Sequence, residues 1–466
     1  MTHQIADQAN LIELCIANLT FRPEPEQKGL IEALSKFVFC NEPRKAFVLN
    51  GFAGTGKTSV MAALIKSLAS FNIKSVTLAP TGRAAKVASE FSGSPASTIH
   101  RHIYRPISHE PGNENFILAA NRLTDTIFII DEASMITDAG GDRSLLLHLV
   151  RFVYSAPGCS IVFVGDVAQL PPVGHTDSPA MNLVRLRQLG LFPEAYNLRN
   201  SMRQSHESGI LANATAIRRF LFGKPSMKFH LKASGFTDVE TVSPTELADC
   251  LSSSWAKVGT EETLIISRSN KRANNFNAQI RSRVLFAEDA IQRGERLIVS
   301  RNDYYWCAKN KVKGFIANGE TVEVKWVGNL EKAHGRYFVD AELQVPSRPE
   351  PLGVKIMLRS LMSDGPTIPR DEQQRFFTVV ADSYEGEYSQ KIKGVMNDPY
   401  YNALQVKYAY CVTCHKAQGG QWRHVYLDVG TIAPEAIGPD FYRWLYTAVT
   451  RATEKLFLVN PSFSVV

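Results

Sequence analysis

The octapeptide Gly51-Phe52-Ala53-Gly54-Thr55-Gly56-Lys57-Thr58 has the residue types and spacing of a loop that cradles a polyphosphate. Its glycines, Gly51, Gly54 and Gly56, let successive backbone N–H groups around Thr55 curl about phosphate oxygens. Lys57 reaches the terminal phosphates, and the Thr58 hydroxyl is placed to ligate magnesium. An apolar run (46–49) precedes the loop and a helix-like stretch (59–69) follows it, so the phosphates would also face the positive end of a helix. Asp131-Glu132 comes directly after four apolar residues, at the exit of a buried strand. There Asp131 can hold the metal, usually through water, and Glu132 can polarise a water for attack on a γ-phosphate. Gln169 follows Gly165-Asp166 at the end of the next apolar run, where a neutral amide could sense that phosphate or its attacking water. Arg203 and Arg451 lie on downstream segments, and either could bring positive charge to the transition state. Such an arginine is worth about 10³ to 10⁵ in rate in phosphoryl transfer.

These residues need a scaffold that lines up strand exits. The runs AFVLN, SVTLAP, TIFIIDE and IVFVGD, between Ala46 and Asp166, alternate with helical patterns. That alternation is the mark of a parallel sheet covered by helices, with ligands held beyond the carboxyl ends of the strands. A second set, TLIISRSN, YAYCVT, HVYLDV and KLFLVN, lies between Thr263 and Asn460 and predicts a second domain of the same α/β kind. Between its strands, roughly 294–404, alternating stretches and several prolines suggest an inserted antiparallel β-barrel. The stretch from Arg105 to Asp125 reads as a smaller β insertion in the first domain.

The chain has 466 residues, 44% of them hydrophobic, which suits two to four globular domains. Lys and Arg outnumber Asp and Glu by 52 to 45, a net charge of +7 that is compatible with a polyanionic partner without requiring one. The first twenty residues show no secretory pattern, and no apolar run is long enough to span a bilayer. Seven widely spaced cysteines read as reduced thiols, so a cytoplasmic location is expected. The pentapeptide Cys411-Val412-Thr413-Cys414-His415 has the letters of a haem attachment site, but it sits at a strand exit in a chain without an export signal. No second ligand pair stands at zinc spacing either. Neither haem nor zinc is expected there.

Taken together, GFAGTGKT, LAPTGRAA, STIH, IIDEASM, GDVAQLPPVG, LRNSMRQ, TCHKAQGGQW and LYTAVTRA, in this order, resemble the motifs of superfamily 1 helicases. QLPPVG and PTGRAA resemble the B subgroup, and the likeness runs from Gln27 to Val459. The resemblance implies an α/β fold of two RecA-like motor domains. Residues 1–210 would form the first, with a β-hairpin wedge at 101–125. Residues 211–293 and 405–466 would form the second, with an SH3-like barrel at 294–404. It further implies an ATP- and Mg2+-dependent motor moving 5′ to 3′ on single-stranded DNA and opening forked duplexes. Single-strand-binding, replication or recombination proteins are possible partners, and a monomer is expected.

By the same resemblance, Gln27 reads the adenine edge, Gln169 senses the γ-phosphate, and Arg203 and Arg451 reach across from the second domain. Thr81, Gly82, His100, Asn270, Thr413 and His415 fall on the strand-binding face. Taken singly, Thr81 also suits a helix cap, His100 a satisfied histidine and Asn270 a turn. Phe116 is the expected tip of the wedge, with Tyr104 as the alternative, and the aromatics Trp306, Trp326 and Tyr337 are expected in the barrel core. Gln421 stands where the family often has Glu, so no ribose-binding role is carried to it. Two other readings remain: a translocase that clears proteins from single strands, alone or as a subunit of a recombination complex, and a nucleotide-controlled binding module that does not step.

Overall fold

The computed structural model describes residues 2–106, 116–138, 144–200, 208–223, 230–312, 315–346, 348–430, 432 and 436–459. The first sheet is wholly parallel. It contains β1 (Lys45–Gly51), β2 (Lys74–Ala79), β3 (Ala96–Thr98), β6 (Thr126–Ile130), β7 (Ser160–Gly165) and β8 (Phe192–Leu198), in the order β3-β2-β6-β7-β1-β8. Alternation along each strand feeds two cores. Ala46, Val48, Phe128 and Phe163 face one layer of helices, while Phe47, Leu49, Ile129 and Val162 face the other. Each of the Val, Leu, Ile and Phe side chains among these contributes about 1.5–3 kcal/mol on burial, and burial on both faces is why these runs read as continuously apolar. Between β3 and β6, β4 (Tyr104–Pro106) and β5 (Phe116–Leu118) form an antiparallel hairpin in which Pro106 opposes Phe116.

The second parallel sheet has the order β16-β10-β17-β18-β9, built from β9 (Val239–Val242), β10 (Thr263–Ser267), β16 (Cys411–Thr413), β17 (Trp422–Asp428) and β18 (Ala452–Val459). Between β10 and β16 comes an antiparallel sheet in the order β14-β13-β12-β11-β15. Its strands are β11 (Arg296–Val299), β12 (Thr321–Ala333), β13 (Arg336–Gln344), β14 (Leu352–Met357) and β15 (Val406–Tyr408). A bridge between Ile356 and Leu404 brings the two edges of this sheet together.

Several details depart from the sequence expectations. The run YAYCVT is not one strand. Val406–Tyr408 pairs with β11, and the chain then crosses between sheets: the Ala409 N–H donates to Arg296 O at 2.9 Å and Tyr410 O accepts from the Ile265 N–H at 3.0 Å. The antiparallel pairing therefore runs past 404. The insertion also carries two helices, Arg370–Ala381 and Tyr388–Asn397, whose apolar faces cover Phe338 and Met357. Of the three aromatics assigned to the barrel core, only Trp306 is buried. Trp326 and Tyr337 are about half exposed, at 52% and 50%, on strands whose register shifts at Val324/Trp326 and Val327/Leu330. A bulge turns side chains toward the opposite face.

Candidate nucleotide and strand-binding site

The phosphate loop leaves β1 and enters the helix Lys57–Ser70. Gly54 and Gly56 take φ of 77° and 85°, a left-handed backbone that glycine adopts without steric cost. Thr55 is fully buried and its hydroxyl donates to Phe52 O at 2.8 Å. The Lys57 ammonium folds over the loop and donates to Gly51 O and Phe52 O. Gln27, on the helix Pro25–Phe39, donates from Nε2 to Thr55 O at 3.0 Å, and its Oε1 accepts from the Glu24 N–H. Its amide thus ties that helix to the loop, with one N–H and one lone pair remaining for a ligand edge.

Asp131 and Glu132 follow β6. Asp131 Oδ1 accepts from the Glu132 N–H at 2.9 Å, and Asp131 lines one cleft with Thr58. Burial foremost, and then the neighbouring Glu132, push the Asp131 carboxyl up from its ordinary range, while Lys57 opposes the shift. A desolvated carboxylate that shares a cleft with a threonine suits a divalent cation, whose charge would hold it ionised. Glu132 sits at φ 49°, ψ 38°, left-handed backbone that is uncommon outside glycine and costs of order 1–3 kcal/mol. The strain lies on the carboxylate assigned to water activation.

Gln169 lies in a turn led by Asp166, and its backbone N–H donates to Asp166 O at 3.2 Å. Its Oε1 is buried and has no hydrogen-bond partner among the described residues. An orphaned acceptor at this point fits a water or hydroxyl donor beside a terminal phosphate. Thr58, Asp131 and Gln169 therefore all lie at the carboxyl ends of β1, β6 and β7, which adjoin in the order β6-β7-β1.

Residues of the helix Pro439–Val449 in the second domain meet this site. The Tyr446 hydroxyl donates to Asp166 Oδ2 at 2.7 Å and accepts from the Ala53 N–H at 2.9 Å. Thr447 Oγ1 accepts from the Leu170 N–H, Gln418 Nε2 donates to Leu170 O, and Arg443 donates to Val167 O. Sequence reasoning assigned none of these four residues, although Tyr446, Thr447 and Gln418 lie inside motifs it quoted. Arg451, expected to reach the phosphates, is turned into its own domain. It is 3% exposed, and it donates to Thr447 O, Gly420 O and Thr450 Oγ1 at 2.9, 3.0 and 3.2 Å. Arg203 falls outside the described residues.

The strand-binding candidates occupy matching places in the two domains. Thr81 and Gly82 open the helix Gly82–Ser92 after β2, Asn270 opens the helix Asn270–Arg283 after β10, and Thr413 ends β16. Thr81 caps its helix, accepting from the Ala84 N–H at 3.2 Å, and it also faces the second domain. A Cβ on Gly419 would stand 3.2 Å from Thr81 Oγ1 and 2.9 Å from the Ala84 Cβ, so glycine permits this approach. His415 follows Thr413 on the exposed side of a short helix, Cys414–Ala417. His100 packs against Tyr104 with centroids 5.6 Å apart, and burial holds its pKa below the usual histidine value.

Tyr104, the alternative wedge residue, does not point outward. Its hydroxyl bonds His148 Nδ1 at 2.7 Å and its ring packs on the first-domain core, because this position closes the base of the hairpin. Phe116 lies at the tip end of the described ladder, and its side chain is outside the described residues. Cys411 and Cys414 are both buried, in different hydrophobic cores. Gln421 is exposed, and its carbonyl accepts from Arg83 Nη2 at 2.8 Å. Among the described residues, no helix is long and apolar enough to cross a membrane.

Comparison with known proteins agrees with this geometry. Residues 24–233 match a family model described as an AAA domain, and residues 408–459 match the UvrD-like helicase C-terminal domain. The chain is 26% identical over 325 residues to the ATP-dependent DNA helicase dda of Enterobacteria phage T4, covering 66% of this chain and 69% of that one. It is also 26% identical over 332 residues to the ATP-dependent RecD2 DNA helicase of Deinococcus radiodurans, covering 69% of this chain but 43% of that protein. Among solved structures, a Pif1 helicase from Bacteroides in complex with ADP-AlF3 and ssDNA aligns with a TM-score of 0.50 at 16% identity, over 95% of this chain and 94% of that one. This last likeness is one of fold. Its ordered motifs, both matched family models and these relatives, on a shared fold, together support a superfamily 1B helicase.

Proposed function

We propose that the chain is an ATP-dependent DNA helicase that moves 5′ to 3′ on single-stranded DNA and separates the strands of forked duplexes. The observation that carries this reading is the contact of Tyr446, Thr447 and Arg443 with the very loops that hold the nucleotide-site residues. Closure of the cleft and chemistry at the phosphates then share one set of hydrogen bonds.

In this mechanism Thr58 and Asp131 would hold magnesium, which would supply charge neutralisation to the phosphates. The Lys57 ammonium exchanges the carbonyls of Gly51 and Phe52 for phosphate oxygens. Glu132 accepts a proton from the attacking water, and Gln169 Oε1 orients that water. Arg203 supplies positive charge to the transition state, as does Arg451 after release from Gly420 and Thr447. Gln27 offers its remaining N–H and lone pair to the adenine edge. Thr81, Gly82 and His100 in the first domain, and Asn270, Thr413 and His415 in the second, grip the strand alternately as the cleft opens and closes. Phe116 heads the wedge, and an SH3-like 294–404 module braces it.

The test is unwinding of duplexes carrying a single 5′ or 3′ tail, with ATP and magnesium. Unwinding from the 5′ tail is expected. Preference for the 3′ tail would overturn the polarity, and tight ATP-dependent DNA binding without multiple turnover would point to the non-stepping module.

A further inference from the structure

Resting on that reading, we propose that Tyr446 is a positioning residue for hydrolysis: its hydroxyl sets the phosphate loop and the Asp166–Gln169 turn in register when the two motor domains meet. The bonding directions allow one arrangement only. The Ala53 N–H is a donor, so the hydroxyl must accept from it and give its single proton to Asp166 Oδ2. Asp166 is 1% exposed and accepts at its other oxygen from the Ala168 N–H at 2.9 Å, which fixes the turn that aims Gln169. Burial, and then the Asp166 carboxylate, hold the phenol far above its ordinary pKa, so it stays a neutral donor.

The surroundings favour a built joint over an incidental touch. Next to Ala53, Phe52 lies under the Arg218 guanidinium, 4.3 Å from the ring centroid, and against Phe222 at 6.0 Å. Both partners come from the second-domain helix Gly209–Phe222. The segment Phe52–Ala53 is thus held from the second domain and also accepts the Thr55 N–H at Phe52 O, 3.3 Å away, leaving the N–H groups of Gly56 to Thr58 for phosphate. A shift of the helix Pro439–Val449 moves one hydroxyl, and with it both the loop under the phosphates and the turn beside the attacking water. Misplacement of reacting groups by about 1 Å can cost roughly a hundredfold in rate.

The experiment compares Tyr446→Phe with the full chain by two readouts: hydrogen exchange of the Ala53 amide, and steady-state ATP hydrolysis with saturating single-stranded DNA. Expected are faster Ala53 exchange and a kcat lower by about tenfold or more, with KM for ATP within about threefold, because an interaction that matters in the transition state is lost and ground-state binding is not. Asp166→Asn is the second variant. Its amide offers one acceptor oxygen where the carboxylate serves two donors, the phenol and the Ala168 N–H, so kcat should fall similarly, and the double variant should be no worse than Asp166→Asn alone. A Tyr446→Phe kcat within about twofold of the parent, a rise in KM alone, or additive effects would overturn the assignment. If the parent chain itself hydrolyses no ATP with DNA, the proposed function fails. The Ala53 exchange then decides the joint by itself, and unchanged exchange overturns it.

Discussion

The Arg83 guanidinium lies 4.0 Å from the centroid of the Trp422 ring, and its Nη2 donates to the carbonyl of the preceding residue, Gln421. Arg83 belongs to the first domain and Trp422 begins β17 in the second, so this pair is a second joint between the motors, beside the strand-binding candidates Thr81 and Gly82. Burial, and after it Arg296, bring Arg83 down to about 10, which leaves it charged at neutral pH. A desolvated cation–π pair is worth up to about 2 kcal/mol. A double-mutant cycle of Arg83→Ala and Trp422→Leu, followed by urea unfolding, is expected to give a coupling of about 1–2 kcal/mol. Additivity would show that the stacking carries no energy.

Arg451→Ala is expected to lower stability as well as turnover. The buried fork satisfies Thr447 O and Gly420 O, and removing it leaves both carbonyls without that donor. Thr447 O keeps the Thr450 hydroxyl at 3.0 Å, so the loss falls chiefly on Gly420 O and costs about 1–3 kcal/mol. The urea midpoint of Arg451→Ala should therefore fall, with Arg451→Lys recovering part of it. Loss of hydrolysis at an unchanged midpoint would mean that the guanidinium does not spend its time on these carbonyls.

Lys416 predicts a pH dependence of stability. Its Nζ is buried without a hydrogen-bond partner among the described residues, and burial first, then Lys407, lower its pKa to about 8 from an ordinary 10.5. Between those values the unfolded chain binds more protons than the folded one, so the contribution of this group to stability rises with pH from about 8 to 10.5. Below pH 8 the folded state carries the full cost of a buried ammonium. Lys416→Met is expected to raise stability at pH 7 by on the order of 2–3 kcal/mol and to flatten the rise between pH 8 and 10.5. Denaturation at pH 7 and 9.5 checks this, and an unaltered slope would count against it.

Phe116→Ala should separate strand opening from fuel consumption. Base stacking is worth about 1–3 kcal/mol, so unwinding of a forked duplex should slow by roughly fivefold or more, while DNA-stimulated ATP hydrolysis stays within about twofold. Parallel fluorescence unwinding and phosphate-release assays measure both. A chain that only clears proteins from single strands would lose neither activity.

The strands legible in the sequence were the ones buried on both faces. β1, β6 and β7 read as unbroken apolar runs because helices cover both sides. β8 escaped notice because it is an edge strand, with Pro193, Glu194 and Asn197 among its seven residues and most of it open to solvent. β9 is four residues long, with Glu240 and Thr241 exposed. The phosphate loop and the acidic pair were plain because their chemistry depends on neighbours in sequence. Tyr446 was not, since its partners stand 393 and 280 residues away and a tyrosine in an apolar helix reads as core. The two helices between Arg370 and Asn397 were hidden by surrounding β alternation, and Trp326 by bulges that no alternation rule registers.

The way the chain leaves the insertion also has a mechanical meaning. Only Ala409 and Tyr410 separate β15, paired to the insertion through β11, from β16, which ends at the strand-binding candidate Thr413. Tension applied to the insertion, as by a duplex pressed against it, is therefore delivered along a nearly continuous strand to the residue that would grip the track. The hydrogen bonds of Ala409 to Arg296 and Ile265 to Tyr410 lie along this line and share the load in shear. In the proposed motor the insertion would serve as a lever arm whose fulcrum is two residues long.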